Sequence, residues 1–184
     1  VVSIRARAPG IEHAKAAGIA VSVFSHKDFP DRQAHDAAVM DALQPDAVVL
    51  IVLGGYMRIL GEACTSRYEG RRINLHPALL PLYKGLDTYH RVLQAGDVET
   101  GASIHFVTAG LDSGPVISQV RIPVLPGDDA ESLASRLHPE EHRLVVATVE
   151  LFCQRKVHYE QGEVYYLGHA IKEPLLLRHD GAFD

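Results

Sequence analysis

The sequence predicts one α/β domain over residues 1–184, with a mostly parallel sheet flanked by helices. The length and the hydrophobic content of 47% are enough for one sizeable core. The first 24 residues show a strand pattern, a helix pattern and a second strand pattern, the usual opening of a parallel sheet. The unbroken apolar run Ala47–Leu53 is typical of a central parallel strand buried on both faces.

The elements before this run follow from local patterns. Gly18 suits the position after a helix, because glycine adopts the left-handed conformation there without strain. Asp31 is expected to cap the next helix. The predicted elements are a strand at Val1–Ile4, a helix at Pro9–Ala17, a strand at Ile19–Phe24 and a helix from Asp31 to about Leu43.

The segment after the run lies at the carboxyl end of a predicted strand, where open α/β sheets bind their ligands. Gly54 and Gly55 end the strand and permit close approach of the backbone to a ligand. Tyr56–Leu60 follows them. An ordinary strand-to-helix turn with a surface Arg58 explains the same residues equally well.

The second half continues the alternation of strands and helices. A hairpin is expected to turn at Gln161 and Gly162, and no pattern is recognisable from Leu175 onward. The remaining predicted elements are a helix at Asp87–Ala95 ended by Gly96, strands at Gly101–Thr108 and Val116–Val124, and a long helix from Asp128 and Asp129 to Leu151, kinked at Pro139.

One stretch, Arg72–Gly85, carries polar groups where a core strand should be apolar. Asn74 and His76 alternate with Ile73 and Leu75, so a strand would place both polar side chains on one face. The prolines that follow force the chain out of the sheet just after His76. Taken singly, Asn74 is explained as a turn residue and His76 as a buried core histidine.

Asp112 is the carboxylate of a loop rich in glycine and proline, and as a turn residue it would need no further explanation. Together, an amide, an imidazole and a carboxylate at strand ends can stabilise an oxyanion and move a proton. A carboxylate beside His76 would favour the imidazolium. No GxSxG motif or activated cysteine supplies a nucleophile, so the pattern favours direct group transfer over covalent catalysis.

Composition excludes several classes of protein. The net charge of −5, the pI near 6.1 and the scattered basic residues argue against nucleic acid as a main partner. The longest apolar run is too short to cross a bilayer, and the N-terminus lacks a signal-peptide pattern. Cys64 and Cys153 lie far apart without metal-ligand spacing, which favours a reducing, cytoplasmic setting and no metal.

Three motifs, in the right order along the chain, carry a specific resemblance. They are Asn74-Leu75-His76-Pro77-Ala78-Leu79-Leu80-Pro81, Ser103-Ile104-His105-Phe106-Val107 and Leu111-Asp112-Ser113-Gly114-Pro115-Val116. With Tyr56–Leu60 and Glu141-His142, they closely resemble the phosphoribosylglycinamide formyltransferases, folate-dependent enzymes of purine synthesis. The similarity covers residues 1 to about 155 and implies a Rossmann-like formyltransferase fold.

The resemblance implies formyl transfer from 10-formyltetrahydrofolate to the amine of glycinamide ribonucleotide, in the route to IMP. By the family pattern, Asn74, His76 and Asp112 are the catalytic residues. Pro77 and Glu141 would contact the ribonucleotide. The residues implied in folate binding are Arg32, Met57, Arg58, Ile59, Leu60, Asn74 and Asp112.

Some features depart from the family. Ala78 stands where serine is usual, and the family's first strand, phosphate-binding loop and first helix have no counterpart before Val1. A formyltetrahydrofolate hydrolase and a non-catalytic folate-binding domain therefore remain as alternatives. The short, non-basic C-terminal extension argues against methionyl-tRNA formyltransferase. The oligomer is expected to be a monomer or a homodimer.

Overall fold

The computed structural model describes residues 1–43, 48–55 and 68–184, and these residues form two compact units. One unit contains the described residues up to 49, and the other contains residues 50–55 and 68–184. The single domain predicted for residues 1–184 stays a prediction. Each unit is described by itself below.

The N-terminal unit is a small βαβ arrangement followed by a helix. Strand β1, Val2–Ser3, pairs in parallel with β2, Ser22–Val23, and helix α1, Pro9–Ala16, connects them. Gly18 follows α1 with φ +70°, as predicted. A short 3₁₀ helix, His26–Asp28, leads to α2, Arg32–Ala42. The Asp31 carboxylate accepts the Ala34 N–H at 2.8 Å, which confirms the predicted cap.

The second unit is built on a five-stranded mixed sheet with the order β10-β6-β5-β4-β3. The outer pairs β3–β4 and β10–β6 are parallel, whereas β5 runs antiparallel to both of its neighbours. The predicted α/β class is thereby confirmed. The strands are β3 Ile51–Leu53, β4 Arg72–His76, β5 Glu99–Phe106, β6 Val116–Pro123 and β10 Leu175–Leu176.

Strand β3 corrects the interpretation of the apolar run. It contains only Ile51–Leu53 and lies at one end of the five-strand order in the described residues. Val49 is 80% exposed and Val52 is 41% exposed. The predicted burial on both faces is not found, because a terminal strand is covered by fewer neighbours than a central one.

Helices and a hairpin complete the second unit. Helix α3, Thr88–Ala95, ends at Gly96 with φ +71°, and α4, Ala130–Cys153, is one continuous helix through Pro139. The side chains of Asp129 and Ser132 cap α4 reciprocally, each accepting the other's backbone N–H. The C-terminal sheet contains β7 Val157–Glu160, β8 Glu163–Tyr166 and β9 His169–Ala170.

The core of this unit lies between one sheet face and α4. Ile73, Ile104 and Phe106 point from the sheet into this core, and Leu137 and Leu144 reach it from the helix. Within the part of the chain that the structure describes, no helix is long and apolar enough to cross a bilayer. Those residues also contain no group of three or more His, Cys, Asp or Glu side chains that could hold a metal ion.

Candidate active site

The opposite face of β4 and β5 is polar. Side chains alternate along a strand, so Asn74 and His76 share the face that Ile73 and Leu75 do not occupy. In the antiparallel register, Asn74 lies opposite His105, and His76 lies opposite Ser103. Directly opposed residues share a sheet face, which brings four polar side chains together.

His76 is 5% exposed and has an acceptor at each ring nitrogen. Its Nε2 lies 2.9 Å from the carbonyl oxygen of Tyr83. A carbonyl oxygen only accepts, so this nitrogen carries a proton and donates it. Its Nδ1 lies 3.4 Å from Oδ2 of Asp112.

His105 is equally buried, with 2% exposure, but its partners differ. Its Nδ1 lies 2.9 Å from the Phe106 carbonyl oxygen, so Nδ1 is the donor. Its Nε2 lies 3.2 Å from the Nδ2 atom of Asn74. Burial lowers the pKa of the His105 imidazole, which favours the neutral ring.

Asp112 lies between the two histidines. Its Oδ2 accepts the Gly85 N–H at 2.9 Å, and its Oδ1 is 3.6 Å from Nε2 of His105. The loop reaches this position through Gly114, where the Cβ atom of any other residue would lie 1.8 Å from the Phe106 carbonyl oxygen. Only glycine permits that approach of the loop to β5.

Side chains of β5 and β6 hold the segment that follows His76. The hydroxyl of Ser103, fully buried, donates to the Ala78 carbonyl oxygen at 2.7 Å and accepts the Leu80 N–H at 3.0 Å. The side chain of Gln119 donates to the Leu80 carbonyl oxygen at 2.9 Å. The proline-containing loop is therefore held in one position relative to His76.

A second buried carboxylate lies on α4. Glu141 is 7% exposed, and burial raises the pKa of its carboxyl group. The Tyr89 hydroxyl donates to Glu141 Oε1 at 3.4 Å, and His138 Nε2 lies 4.0 Å from Oε2. A buried carboxylate with an adjacent hydroxyl group is suited to accept hydrogen bonds from a polyhydroxylated ligand.

The structure brings together the three residues predicted to be catalytic, because Asp112 reaches His76 directly and Asn74 through His105. Pro77 directly follows His76 at the end of β4. Met57, Arg58, Ile59 and Leu60 lie outside the described residues. Arg32 is the first residue of α2, and its side chain is not described.

Sequence reasoning gave no role in the site to three residues: His105 and Ser103, which stand in one of the recognised motifs, and Gln119. The first two alternate with apolar Ile104 and Phe106, the same pattern that revealed Asn74 and His76. That pattern was available in the sequence. Nothing local marks Gln119, whose partner Leu80 is 39 residues away.

The arrangement offers donors for a developing negative charge and a route for a proton. The Asn74 amide has two N–H groups, and His76 has a donor at Nε2. In this structure the Tyr83 carbonyl oxygen accepts from Nε2, so a negatively charged oxygen would have to replace it. The described residues of the site provide such donors without an activated serine or cysteine, which suits the direct transfer of a group.

Comparison with known proteins identifies relatives of this chain. The family model described as formyl transferase matches residues 1–149. The phosphoribosylglycinamide formyltransferases of Haemophilus influenzae and Escherichia coli are 38% and 37% identical over 171 residues, 93% of this chain and 81% of theirs. A trifunctional purine biosynthetic protein of Drosophila pseudoobscura is 44% identical over 142 residues, and the chain spans only 10% of its length.

Solved structures also resemble this chain. The phosphoribosylglycinamide formyltransferase of Coxiella burnetii superposes with a TM-score of 0.87 at 39% identity, covering 93% of this chain and 81% of that one. A formyltetrahydrofolate deformylase of Pseudomonas syringae superposes with a TM-score of 0.78 at 24% identity, covering 85% of this chain and 52% of that one. The second likeness bears on the fold alone.

Proposed function

Since this chain belongs to the formyl transferase family, we propose that it transfers a formyl group from 10-formyltetrahydrofolate to the amine of glycinamide ribonucleotide. This reaction belongs to purine biosynthesis. The names of the relatives support the substrates. The observation that carries the chemistry is the grouping of Asn74, His76 and Asp112 on one polar sheet face and its adjoining loop.

The first step is attack of the substrate amine on the formyl carbon. A carbon–nitrogen bond forms, and the carbonyl electron pair moves to oxygen, which becomes an oxyanion. An N–H of Asn74 and the Nε2–H of His76 are the donors that stabilise it. Removing one donor of this kind costs about 3–4 kcal/mol of transition-state stabilisation in a hydrolase.

The second step breaks the bond between the formyl carbon and N10 of the folate. The oxyanion electrons re-form the carbonyl group, N10 gains a proton and the attacking nitrogen loses one. His76 and Asp112 carry that proton between the two nitrogens. The products are a formylated amine and tetrahydrofolate, so atoms and charges balance.

The remaining assignments rest on the family pattern. Arg32, Met57, Arg58, Ile59 and Leu60, with Asn74 and Asp112, are proposed to contact the folate, and Pro77 and Glu141 the ribonucleotide. The burial of Glu141 beside the Tyr89 hydroxyl supports a role in hydrogen bonding to ligand hydroxyl groups. A cytoplasmic location and a monomeric or dimeric state stay predictions.

The test is whether tetrahydrofolate release depends on the amine. Purified full-length protein is incubated with 10-formyltetrahydrofolate, with and without glycinamide ribonucleotide, and both products are quantified by mass spectrometry. Formylated amine and tetrahydrofolate in equal amounts, with little release in the absence of amine, is the expected result. Amine-independent release of formate would identify a hydrolase, and folate binding without either product would identify a binding domain.

A further inference from the structure

His105 is a buried histidine that the proposed reaction steps do not use. Its ring is held in one tautomer, because the Phe106 carbonyl oxygen lies 2.9 Å from Nδ1 and can only accept. With the proton on Nδ1, a neutral ring presents a lone pair at Nε2. The atom opposite that lone pair is Nδ2 of Asn74, at 3.2 Å.

This contact selects one of the two orientations of the Asn74 amide. An acceptor at Nε2 attracts the amide NH₂ group and repels the amide oxygen. One N–H of Asn74 then goes to His105, and the second N–H of the same group remains for another acceptor. A protonated ring would carry a donor at Nε2 and would attract the amide oxygen instead, turning the NH₂ group away.

The charges around His105 determine whether the neutral ring persists. Burial lowers its pKa most strongly, and the nearby side chains of His76 and Lys84 act in the same direction. The Phe106 carbonyl oxygen and Asp112 act against them. Asp112 also faces His76 and the Gly85 N–H, so its charge is shared rather than directed at His105 alone.

We propose that His105 is a positioning residue whose neutral imidazole holds the Asn74 amide with its NH₂ group available to the oxyanion. This inference rests on the proposed formyl transfer. It follows from the cross-strand pairing of Asn74 with His105 and from the carbonyl oxygen that fixes the proton at Nδ1. His105 touches neither substrate in this account and acts only through Asn74.

The first experiment needs no activity. In protein labelled with ¹⁵N at histidine, two-dimensional NMR distinguishes a protonated ring nitrogen from one with a lone pair. The His105→Gln variant assigns the His105 signals. At neutral pH, Nδ1 is expected to be protonated and Nε2 to carry the lone pair. A proton on Nε2, in either the neutral or the charged ring, would overturn the proposal.

The second experiment uses two substitutions that differ in one property. Leucine at position 105 keeps the bulk but removes the acceptor, whereas glutamine places a carbonyl oxygen near the former Nε2 without a titratable proton. We expect His105→Leu to lower kcat about 10-fold to 10²-fold with little change in KM, below the full loss of one oxyanion donor. His105→Gln should restore most of that loss.

The pH dependence separates positioning from mere structural support. In the wild type, kcat should fall at acid pH as His105 gains a proton and the Asn74 amide turns. This component of the acid limb should be missing in His105→Gln. An unchanged acid limb, or equal losses in both variants, would contradict the proposal.

Controls separate an effect specific to His105 from a general effect of substitution and from a failure of the proposed function. His169→Leu, at an exposed position of β9, is the matched substitution and should leave kcat unchanged. Thermal unfolding is measured for every variant. If the wild type transfers no formyl group, the proposed function fails, while the NMR measurement still decides the tautomer of His105.

Discussion

His76 and His105 lie on the same face of neighbouring strands, and a ring nitrogen of each lies within 4 Å of the Asp112 carboxylate. The hydrogen-bond partners of the two rings differ. His76 has an acceptor at both nitrogens, the Tyr83 carbonyl oxygen and Asp112. His105 has an acceptor at Nδ1, while its Nε2 faces the amide nitrogen of Asn74.

The comparison teaches that distance to a carboxylate does not by itself determine the hydrogen-bonding role of a histidine. What differs is the partner at the remaining nitrogen and the closeness of the carboxylate, 3.4 Å for His76 and 3.6 Å for His105. Burial and a donor held against Nε2 favour the neutral His105 ring, whereas each nitrogen of His76 faces an acceptor. One carboxylate thus lies beside two histidines that differ in their hydrogen-bond partners.

Removing His76 should have the largest effect. His76→Ala takes away a proposed oxyanion donor and the group proposed to carry the proton, so we expect kcat to fall by about 10²–10⁴-fold. Steady-state formyl transfer measures this, and circular dichroism checks the fold. A folded His76→Ala protein that retains most of its turnover would show that the acid lies elsewhere.

The amide that His105 orients comes next. Asn74→Leu removes one proposed oxyanion donor at similar volume and leaves His105 without its donor, and kcat should fall by about 10²–10³-fold. Combining it with His105→Leu makes a double-mutant cycle. If His105 acts only through Asn74, the double variant should be no slower than Asn74→Leu alone, and additive losses would assign His105 a separate role.

The carboxylate between the two rings should matter less than either donor. Asp112→Asn keeps the size and an acceptor oxygen but removes the negative charge beside both histidines, so we expect about a tenfold loss of kcat. Steady-state formyl transfer measures this loss, and thermal unfolding checks the fold. An unchanged kcat in a folded Asp112→Asn protein would leave Asp112 without a part in the proton transfer.

The smallest effect concerns stability. The pKa of His105 is lowered in the folded state, so the unfolded chain binds its proton more readily. The neutral ring therefore makes its full contribution to the free energy of unfolding above about pH 6.5. As the pH falls from there through the folded-state pKa, this contribution is lost, by at most about 1.4 kcal/mol per pH unit.

Comparison with a variant isolates the contribution of His105 from those of the other titratable groups, since the protein contains 11 histidines. Urea unfolding of the wild type and of His105→Gln, followed between pH 8 and pH 5, gives the difference. The variant should lose less stability on acidification. Parallel curves would mean that His105 binds protons equally in both states.

Much of the fold was predictable because it depends on local signals. Three such features follow from short stretches of sequence, and the structure contains each of them. They are the cap by Asp31, the glycine after α3 and the hairpin turn at Gln161 and Gly162. The same alternation that defines β4 also identified Asn74 and His76 as neighbours on one face. The structure confirms those elements with boundaries shifted by a few residues.

The interpretation of the apolar run and of the tail was less successful. Burial of a strand depends on which neighbours flank it, so the composition of Ala47–Leu53 did not show that β3 ends the described sheet. Strand β10 consists of Leu175 and Leu176, which pair with Ser118 and Gln119. Two leucines carry no periodic pattern, and the strand exists only through that long-range pairing.

The sequence by itself determined that Asn74 and His76 share a strand face, because side-chain alternation is a property of any strand. It also carried the motifs that mark the formyl transferase family. Only the tertiary structure decided that His105 opposes Asn74 and that Asp112 lies between the two histidines. Those relations depend on the register of β4 and β5 and on the close approach of the loop at Gly114, and register is fixed by packing across segments that are distant in the chain.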